Sequence, residues 1–194
     1  MQDNLKARRV GVALCGSFCT FSRVFEAIEQ LVTLGADVFP IMSANAAHID
    51  TRFGKADEHI EHLTRLTGRA PIITIEGAEP LGPKRILDIL LVANCTGNTL
   101  AKLAGSITDT SVTMAVKSHL RSACPVVINV ATNDALAGTA KNIGQLMNYK
   151  HYFFVPLKQD DFLAKPTSIV GDFARIPETL SLALNGEQIQ PIFG

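Results

Sequence analysis

Six short apolar segments alternate along the chain with segments whose apolar residues recur at helical spacing, and this alternation constrains the fold most. The apolar segments are residues 8–14, 37–42, 71–75, 86–93, 125–130 and 151–155, and each is typical of a strand buried on both faces. Helices are predicted at residues 21–32, 56–66, 109–122 and 134–147, with one more in the tail from residue 166 that breaks or restarts at Pro177. Ser22 is predicted to cap the first helix and Gly35 to end it. The pattern predicts an α/β fold: a mostly parallel, doubly wound sheet in three layers.

The composition fits a single domain that spans residues 1–194. Hydrophobic residues make up 47% of the chain, charged residues 19%, and the formal net charge is zero. No basic surplus favours nucleic acid or an anionic membrane as a partner, and a neutral, apolar-rich chain is prone to form homo-oligomers. Without an apolar run of about 20 residues or a signal-peptide core, we expect a cytoplasmic chain with free thiols. The thiols are those of Cys15, Cys19, Cys95 and Cys124.

Small polar residues follow four of the predicted strands, and the clearest case is the segment 94–99 after residues 86–93. A strand that leads through such residues into a helix presents free backbone N–H groups, which bind anions and most often a phosphate. In a doubly wound sheet the first and fourth predicted strands are neighbours where the winding reverses, and ligands bind at the carboxyl ends there. The candidate ligand-binding residues are Gly16, Ser17, Ser43, Thr96, Gly97, Asn98, Thr99, Thr132 and Asn133.

The same residue types also turn and cap ordinary strand-to-helix connections, so turning and capping is the alternative interpretation of these loops. Two familiar phosphate motifs are absent. Gly16-Ser17 does not complete a P-loop, because no Lys follows Gly16. No Gly-x-Gly-x-x-Gly follows the first predicted strand, which disfavours a standard dinucleotide site.

Several of these motifs together resemble the flavoprotein family of FMN-dependent cysteine decarboxylases. The motifs are Gly16-Ser17, Ser43-Ala44, residues 94–102 and Gly105-x-x-Thr108-Asp109, and the resemblance covers most of residues 8–150. It implies a Rossmann-like flavoprotein fold with FMN in the cleft, although a phosphate or substrate site would leave a similar sequence. The chain departs from the family in two places. Residues 79–85 lack the catalytic His of the decarboxylases, and residues 130–133 replace their Pro-Ala-Met-Asn.

A second set of motifs resembles one branch of this family, in which the chain is one of two different subunits of a synthase. The motifs are residues 94–99, 132–136, 141–144, 152–156, 159–161, Lys165-Pro166-x-Ser168 and Gln188-x-Gln190-Pro191. The resemblance implies oxidation of a cyclic dihydro or hydroxytetrahydro dicarboxylate to pyridine-2,6-dicarboxylate in the cytoplasm of a sporulating mother cell. It also implies a partner subunit that binds NADP, and assembly into trimers or multiples of them.

The residues themselves name no catalytic base. A dicarboxylate needs cations, and the candidates are Lys84, Arg85, Lys141 and Lys165, although an ordinary surface charge is the favoured interpretation of each. His48 follows the second loop, for which a base that reaches the cleft and an exposed helix histidine are the two interpretations. His59 and His62 share a helix face, for which zinc binding and a solvated face are the two interpretations. The alternative functions are an FMN-dependent decarboxylase, a flavin prenyltransferase, or a non-catalytic partner of a nicotinamide-dependent enzyme.

Overall fold

A computed structural model describes residues 2–194 and shows a central sheet in which five parallel strands have the order β2-β1-β3-β4-β5. The strands are β1 (Arg9–Leu14), β2 (Asp37–Met42), β3 (Ile89–Cys95), β4 (Val126–Thr132) and β5 (Tyr152–Phe154). A two-residue strand, β6 (Ile169–Val170), pairs antiparallel with β4. The mostly parallel α/β sheet predicted from the sequence is therefore confirmed. β1 and β3 are neighbours, so the winding reverses between them.

Helices cover both faces of the sheet. They are α1 (Phe21–Thr33), α2 (Ala44–His48), α3 (Ala56–Thr67), α4 (Ile75–Ala78), α5 (Gly97–Ala104), α6 (Ser111–Leu120), α7 (Ala140–Met147) and α8 (Ile176–Ala183). One buried apolar cluster joins the sheet to α1, α2, α3 and α8, and a second joins it to α4, α5, α6 and α7. All seven residues of β3 are buried, as expected for the strand between the two clusters. None of the helices within residues 2–194 combines the length and apolar character that a membrane crossing requires.

The predicted strand at residues 71–75 is wrong. Only Ile72 pairs with β2, through a single bridge to Ile41. The hydroxyl of Thr74 accepts the N–H of Gly77 and caps α4, which begins at the next residue. Thus a capping residue inside the apolar run turns the chain into a helix before a strand can extend.

Three helix boundaries also differ from the prediction. Ser22 lies inside the first turn of α1, and Thr20 occupies the cap position without a side-chain capping bond. Residues 134–139 are turns that precede α7. The predicted tail helix is replaced by β6 up to Val170, and α8 begins only at Ile176, with Pro177 in its first turn, where the missing N–H costs nothing.

Candidate functional site

A cleft of about 800 Å³ lies at the carboxyl ends of β1, β3 and β4, where the winding reverses. Its walls are residues 16–20 after β1, 96–98 at the start of α5, and 131–134 at the end of β4. Residues 52–53 close one side, and Asp160, Lys165, Ser168 and Val170 contribute from the C-terminal part of the chain. This is the position in a doubly wound sheet where ligands bind.

Seven of the nine predicted ligand-binding residues line this cleft: Gly16, Ser17, Thr96, Gly97, Asn98, Thr132 and Asn133. The other two support its walls from outside. The Ser43 hydroxyl accepts the N–H of Ala46 at 3.3 Å and caps α2. The buried Thr99 hydroxyl contacts the Thr96 hydroxyl at 3.1 Å and donates to the Cys15 sulfur at 3.4 Å. The ligand-binding role of all nine stays a prediction.

The side chain of Asn94, buried at the end of β3, fixes the loop after β1. Its Oδ1 accepts the N–H of Cys15 at 2.7 Å, and its Nδ2 donates to the carbonyls of Cys15 and Ser17 at 3.1 and 3.2 Å. The Thr20 hydroxyl lies 3.3 Å from the same Nδ2. Because β1 and β3 pair only up to Ala13, Asn94 replaces the missing ladder bonds with side-chain ones. The loop after β1 is therefore held at the reversal point by a residue of the neighbouring strand.

A β-bulge in β3 lies at the same point. Val92 pairs with Ile128 and Cys95 with Val130, so three steps along β3 match two along β4. The Ala93 carbonyl, displaced from the ladder, accepts the side-chain N–H of Asn129 at 2.8 Å. Bulges of this kind re-aim side chains next to binding sites. Here the bulge sends the end of β3 into the first turn of α5.

Two loops that line the cleft carry backbone N–H groups without a hydrogen-bond partner. Within residues 2–194, the N–H groups of Gly16 and Ser17 find no acceptor in the chain, and neither do those of Gly97 and Asn98 in the first turn of α5. The Thr96 hydroxyl accepts the N–H of Thr99, so the backbone donor of the third residue of α5 does have a partner. Free donors at a helix N-terminus, opposite a second set, form a site for an anionic group.

Gly97 lets the wall after β4 approach α5 closely. A Cβ at this position would lie 2.7 Å from Asp134 Oδ1 and 2.7 Å from the Thr139 hydroxyl. The Asp134 carboxylate accepts hydrogen bonds from Thr132 at 2.6 Å and from Thr139 at 2.7 Å, and these bonds lower the pKa of Asp134. Close packing between α5 and the loop after β4 therefore requires a glycine at position 97. The Asp134 carboxylate beside it is already hydrogen-bonded within the chain.

Lys165 is the only one of the four candidate cations that lines the cleft. Its Nζ lies 2.7 Å from Asp160 Oδ2, so it is already paired. Lys84 and Arg85 lie at the opposite edge of the sheet, because the Arg85 carbonyl accepts from Arg9 at the start of β1. Lys141 is an exposed residue of α7, outside the lining.

The histidines lie away from the cleft. His48 is exposed at the end of α2 and is not among the lining residues. His59 is buried, with its ring 4.8 Å from that of Phe21, and His62 stacks on Phe25 at 4.6 Å. The solvated face expected for His59 is therefore wrong. Within residues 2–194 no cluster of three or more His, Cys, Asp or Glu side chains has a metal-binding arrangement.

All four cysteines are free. Burial raises the pKa of Cys15, below the cleft, to about 11, so this group stays a protonated thiol near neutrality. Burial also raises the pKa of Cys95. Cys19 is the exposed member that lines the cleft.

Arg52 and Phe53 line the cleft but were not predicted to do so, and Asp134 and Asp160 had no predicted role. Arg52 and Phe53 lie in a tight turn between α2 and α3, with no strand directly before them, so the rule that sites follow strands does not find them. Asp134 and Asp160 do occur in the motifs that resemble one branch of the family, so the sequence contained a signal for these two residues.

Known proteins resemble this chain in sequence and in fold. The family model described as Flavoprotein matches residues 1–176. The B subunit of dipicolinate synthase from Bacillus subtilis (strain 168) is 44% identical over 190 residues, which are 98% of this chain and 95% of the relative. The crystal structure of the dipicolinate synthase B subunit from Bacillus halodurans matches with a TM-score of 0.90 and 39% identity over 98% of each chain. The FMN-dependent cysteine decarboxylase SpaF matches with a TM-score of 0.70 and 24% identity over 94% of this chain and 99% of that one, which shows the shared fold.

Proposed function

The chain belongs to the Flavoprotein family, and from that premise we propose that it is the FMN-binding B subunit of a dipicolinate synthase. The observation that carries the proposal is the match to two such subunits over 98% of the chain, at 44% and 39% identity. The reaction is the oxidation of a cyclic dihydro or hydroxytetrahydro dicarboxylate to pyridine-2,6-dicarboxylate, a step of sporulation in the mother-cell cytoplasm. In this proposal the A subunit of the synthase holds NADP, and the B subunit forms a homo-oligomer, a trimer or a multiple of one.

The cleft fits a phosphate-bearing cofactor by the chemistry of its donors. The N–H groups of Gly97 and Asn98 belong to the first turn of α5, and Gly16 and Ser17, whose N–H groups also have no acceptor in the chain, line the same cleft. Such donors bind phosphate without a lysine. The volume of about 800 Å³ lies within the range of cofactor sites.

In this proposal the residues of three loops hold FMN. Gly16, Ser17, Thr96, Asn98 and Thr132 bind its polar groups, while Asn133 closes the cleft from the end of β4. Bound FMN would supply a two-electron acceptor next to the substrate. The protein's own part is orientation, because Asn94 and the bulge in β3 hold two of these loops in place before any ligand arrives.

The decarboxylase alternative has less support. No histidine lines the cleft among residues 2–194, and residues 79–85, where the decarboxylases carry theirs, contain none. The segment that ends at Arg85 also meets the start of β1, at the edge of the sheet opposite the cleft. A non-catalytic partner role predicts that the purified chain binds no flavin.

The test is reconstitution. The chain is mixed with the A subunit, NADP and the cyclic dicarboxylate substrate, and formation of pyridine-2,6-dicarboxylate is followed by its ultraviolet absorbance. We expect product only when both proteins are present, and a loss of product with Asn98→Leu. Equal product formation when this chain is left out of the mixture would contradict the proposal.

A further inference from the structure

We propose that Arg52 and Phe53 form the wall of the cleft that recognises the substrate and the product: Arg52 binds a carboxylate of the ring dicarboxylate, and Phe53 packs on the ring. This inference depends on the proposed function, since it names the part of the same cleft that would select the substrate. The two residues lie in the turn between α2 and α3. The alternation of strands and helices in the sequence does not indicate that this turn belongs to a binding site.

The charges in the cleft single out Arg52. Asp134 is bound by two hydroxyl donors, and Asp160 pairs with Lys165 at 2.7 Å. Within residues 2–194, Arg52 has no carboxylate within 4.0 Å and donates no hydrogen bond from its side chain. Of the two cationic side chains that line the cleft in the described part of the chain, Lys165 is therefore ion-paired and Arg52 is not. An anionic ligand is the partner that this charge favours.

The turn that carries Arg52 is already formed. The N–H of Thr51 donates to the Gly54 carbonyl at 3.0 Å, and the N–H of Gly54 donates back at 3.1 Å. The Thr51 hydroxyl also accepts the N–H of Phe53 at 3.1 Å. Behind the turn, a Cβ at Gly54 would lie 2.5 Å from Cε1 of the buried His59. A wall held in this way loses little conformational entropy when it binds a ligand.

Phe53 supplies the apolar part of the wall. Its side chain is 44% exposed although it lines the cleft, and the Arg52 guanidinium lies 4.8 Å from its ring centroid. A phenyl ring next to a free guanidinium matches a flat ring that carries a carboxylate, because the ring stacks while the fork of N–H groups binds the two oxygens. A phosphate ester would use only the guanidinium.

The position of this wall separates it from the anion site at α5. The free N–H groups of Gly97 and Asn98 belong to the loop after β3, whereas Arg52 comes from the loop that follows α2. Two anion-binding features on different walls allow a cofactor phosphate and a substrate carboxylate to be held together. We therefore assign the phosphate to α5 and the carboxylate to Arg52.

The experiment is a pair of titrations by calorimetry. Pyridine-2,6-dicarboxylate is titrated into the purified chain with FMN in excess, and FMN is titrated into the chain alone. The variants are Arg52→Gln, Arg52→Lys and Phe53→Ser, with Arg121→Gln as the matched control, since Arg121 is an exposed arginine at the end of α6. We expect Arg52→Gln to weaken the dicarboxylate about 10- to 100-fold and FMN less than about 2-fold. Arg52→Lys and Phe53→Ser should give smaller losses, and Arg121→Gln none.

Three results would overturn the inference. Unchanged dicarboxylate binding by Arg52→Gln would show that the wall is not used, while the proposed function would stand. An equal loss of FMN would place the cofactor phosphate at Arg52. Absence of dicarboxylate binding to the wild-type chain, with FMN bound normally, would count against the proposed function as well.

Discussion

Asn94 pairs with the backbone of Cys15 as a further strand residue would: its Oδ1 accepts the Cys15 N–H at 2.7 Å and its Nδ2 donates to the Cys15 carbonyl at 3.1 Å. The two residues lie at the ends of neighbouring strands, at the point where the winding of the sheet reverses. At the cleft, the Asn94 side chain thus makes the hydrogen bonds that the backbone would make in a regular pair of parallel strands. The conformation of the loop after β1 depends on these bonds.

Replacing Asn94 by Ala should lower the free energy of unfolding by about 2–3 kcal/mol, because the buried N–H and C=O groups of Cys15 lose their partner. The loss is measured by denaturant unfolding. Asn98→Ala is the matched control: Asn98 is exposed, so its substitution should change stability by less than about 0.5 kcal/mol. Equal stability of the two variants would show that the Asn94 contact does not support the loop.

Gly97→Ala should lower the free energy of unfolding by about 2 kcal/mol or more, because the new Cβ would lie 2.7 Å from side-chain oxygens of Asp134 and Thr139. Gly144→Ala gives the opposite expectation. Gly144 lies in α7, and no atom lies within 4 Å of the position that its Cβ would take, so alanine should stabilise the helix by about 0.5–1 kcal/mol. Thermal unfolding of both variants measures the difference, and the same sign of change in both would contradict the packing argument.

Gly54→Ala should disturb the turn that carries Arg52, since the new Cβ would lie 2.5 Å from His59. We expect weaker binding of pyridine-2,6-dicarboxylate together with lower stability. Gly68→Ala is the control, because Gly68 also has a positive φ, +69°, but open space around its Cβ position. It should cost only the backbone strain, about 1–2 kcal/mol, and leave dicarboxylate affinity unchanged. Full dicarboxylate affinity in Gly54→Ala would show that binding does not depend on this turn.

Stability should fall in mild acid because of His119. Burial lowers the pKa of His119 from 6.5 to about 4, although its Nε2 contacts the Pro125 carbonyl at 3.1 Å. Between these values the unfolded chain binds a proton that the folded chain does not. The stability is therefore complete above pH 6.5 and declines as the pH falls to about 4, by about 3 kcal/mol. His119→Gln should flatten the pH profile of the unfolding free energy in this range, leaving the smaller slope of His59, whose pKa burial also lowers. An unchanged slope would contradict the assignment.

The sheet could be predicted because its strands are apolar on both faces, and the position of the reversal point followed from the usual strand order of a doubly wound sheet. The apolar run at residues 71–75 is typical of a strand, but Thr74 caps α4 instead. Capping depends on the conformation of the residues that follow, which the apolar pattern does not show. The site was predicted where loops follow strands. Arg52 was missed because its place in the cleft comes from the Thr51–Gly54 turn and from the packing of that turn on His59, which is a tertiary contact.

Of the four candidate cations, Lys165 alone lines the cleft. Lys84 and Arg85 come just before β3 in the chain, which places them at the amino edge of the sheet, away from the cleft. Lys165 was correctly placed near the site by its motif, but its ion pair with Asp160 follows from the loop conformation and not from the sequence pattern.

The central claim, that the cleft between the loops after β1 and β3 binds FMN, is tested most directly by titrating FMN into the purified chain and following quenching of flavin fluorescence. We predict one FMN per chain, with binding weakened at least about 10-fold by Asn98→Leu and unchanged by Asn148→Leu, an exposed residue after α7. Failure of the wild-type chain to bind FMN, or equal affinity in Asn98→Leu, would contradict the account.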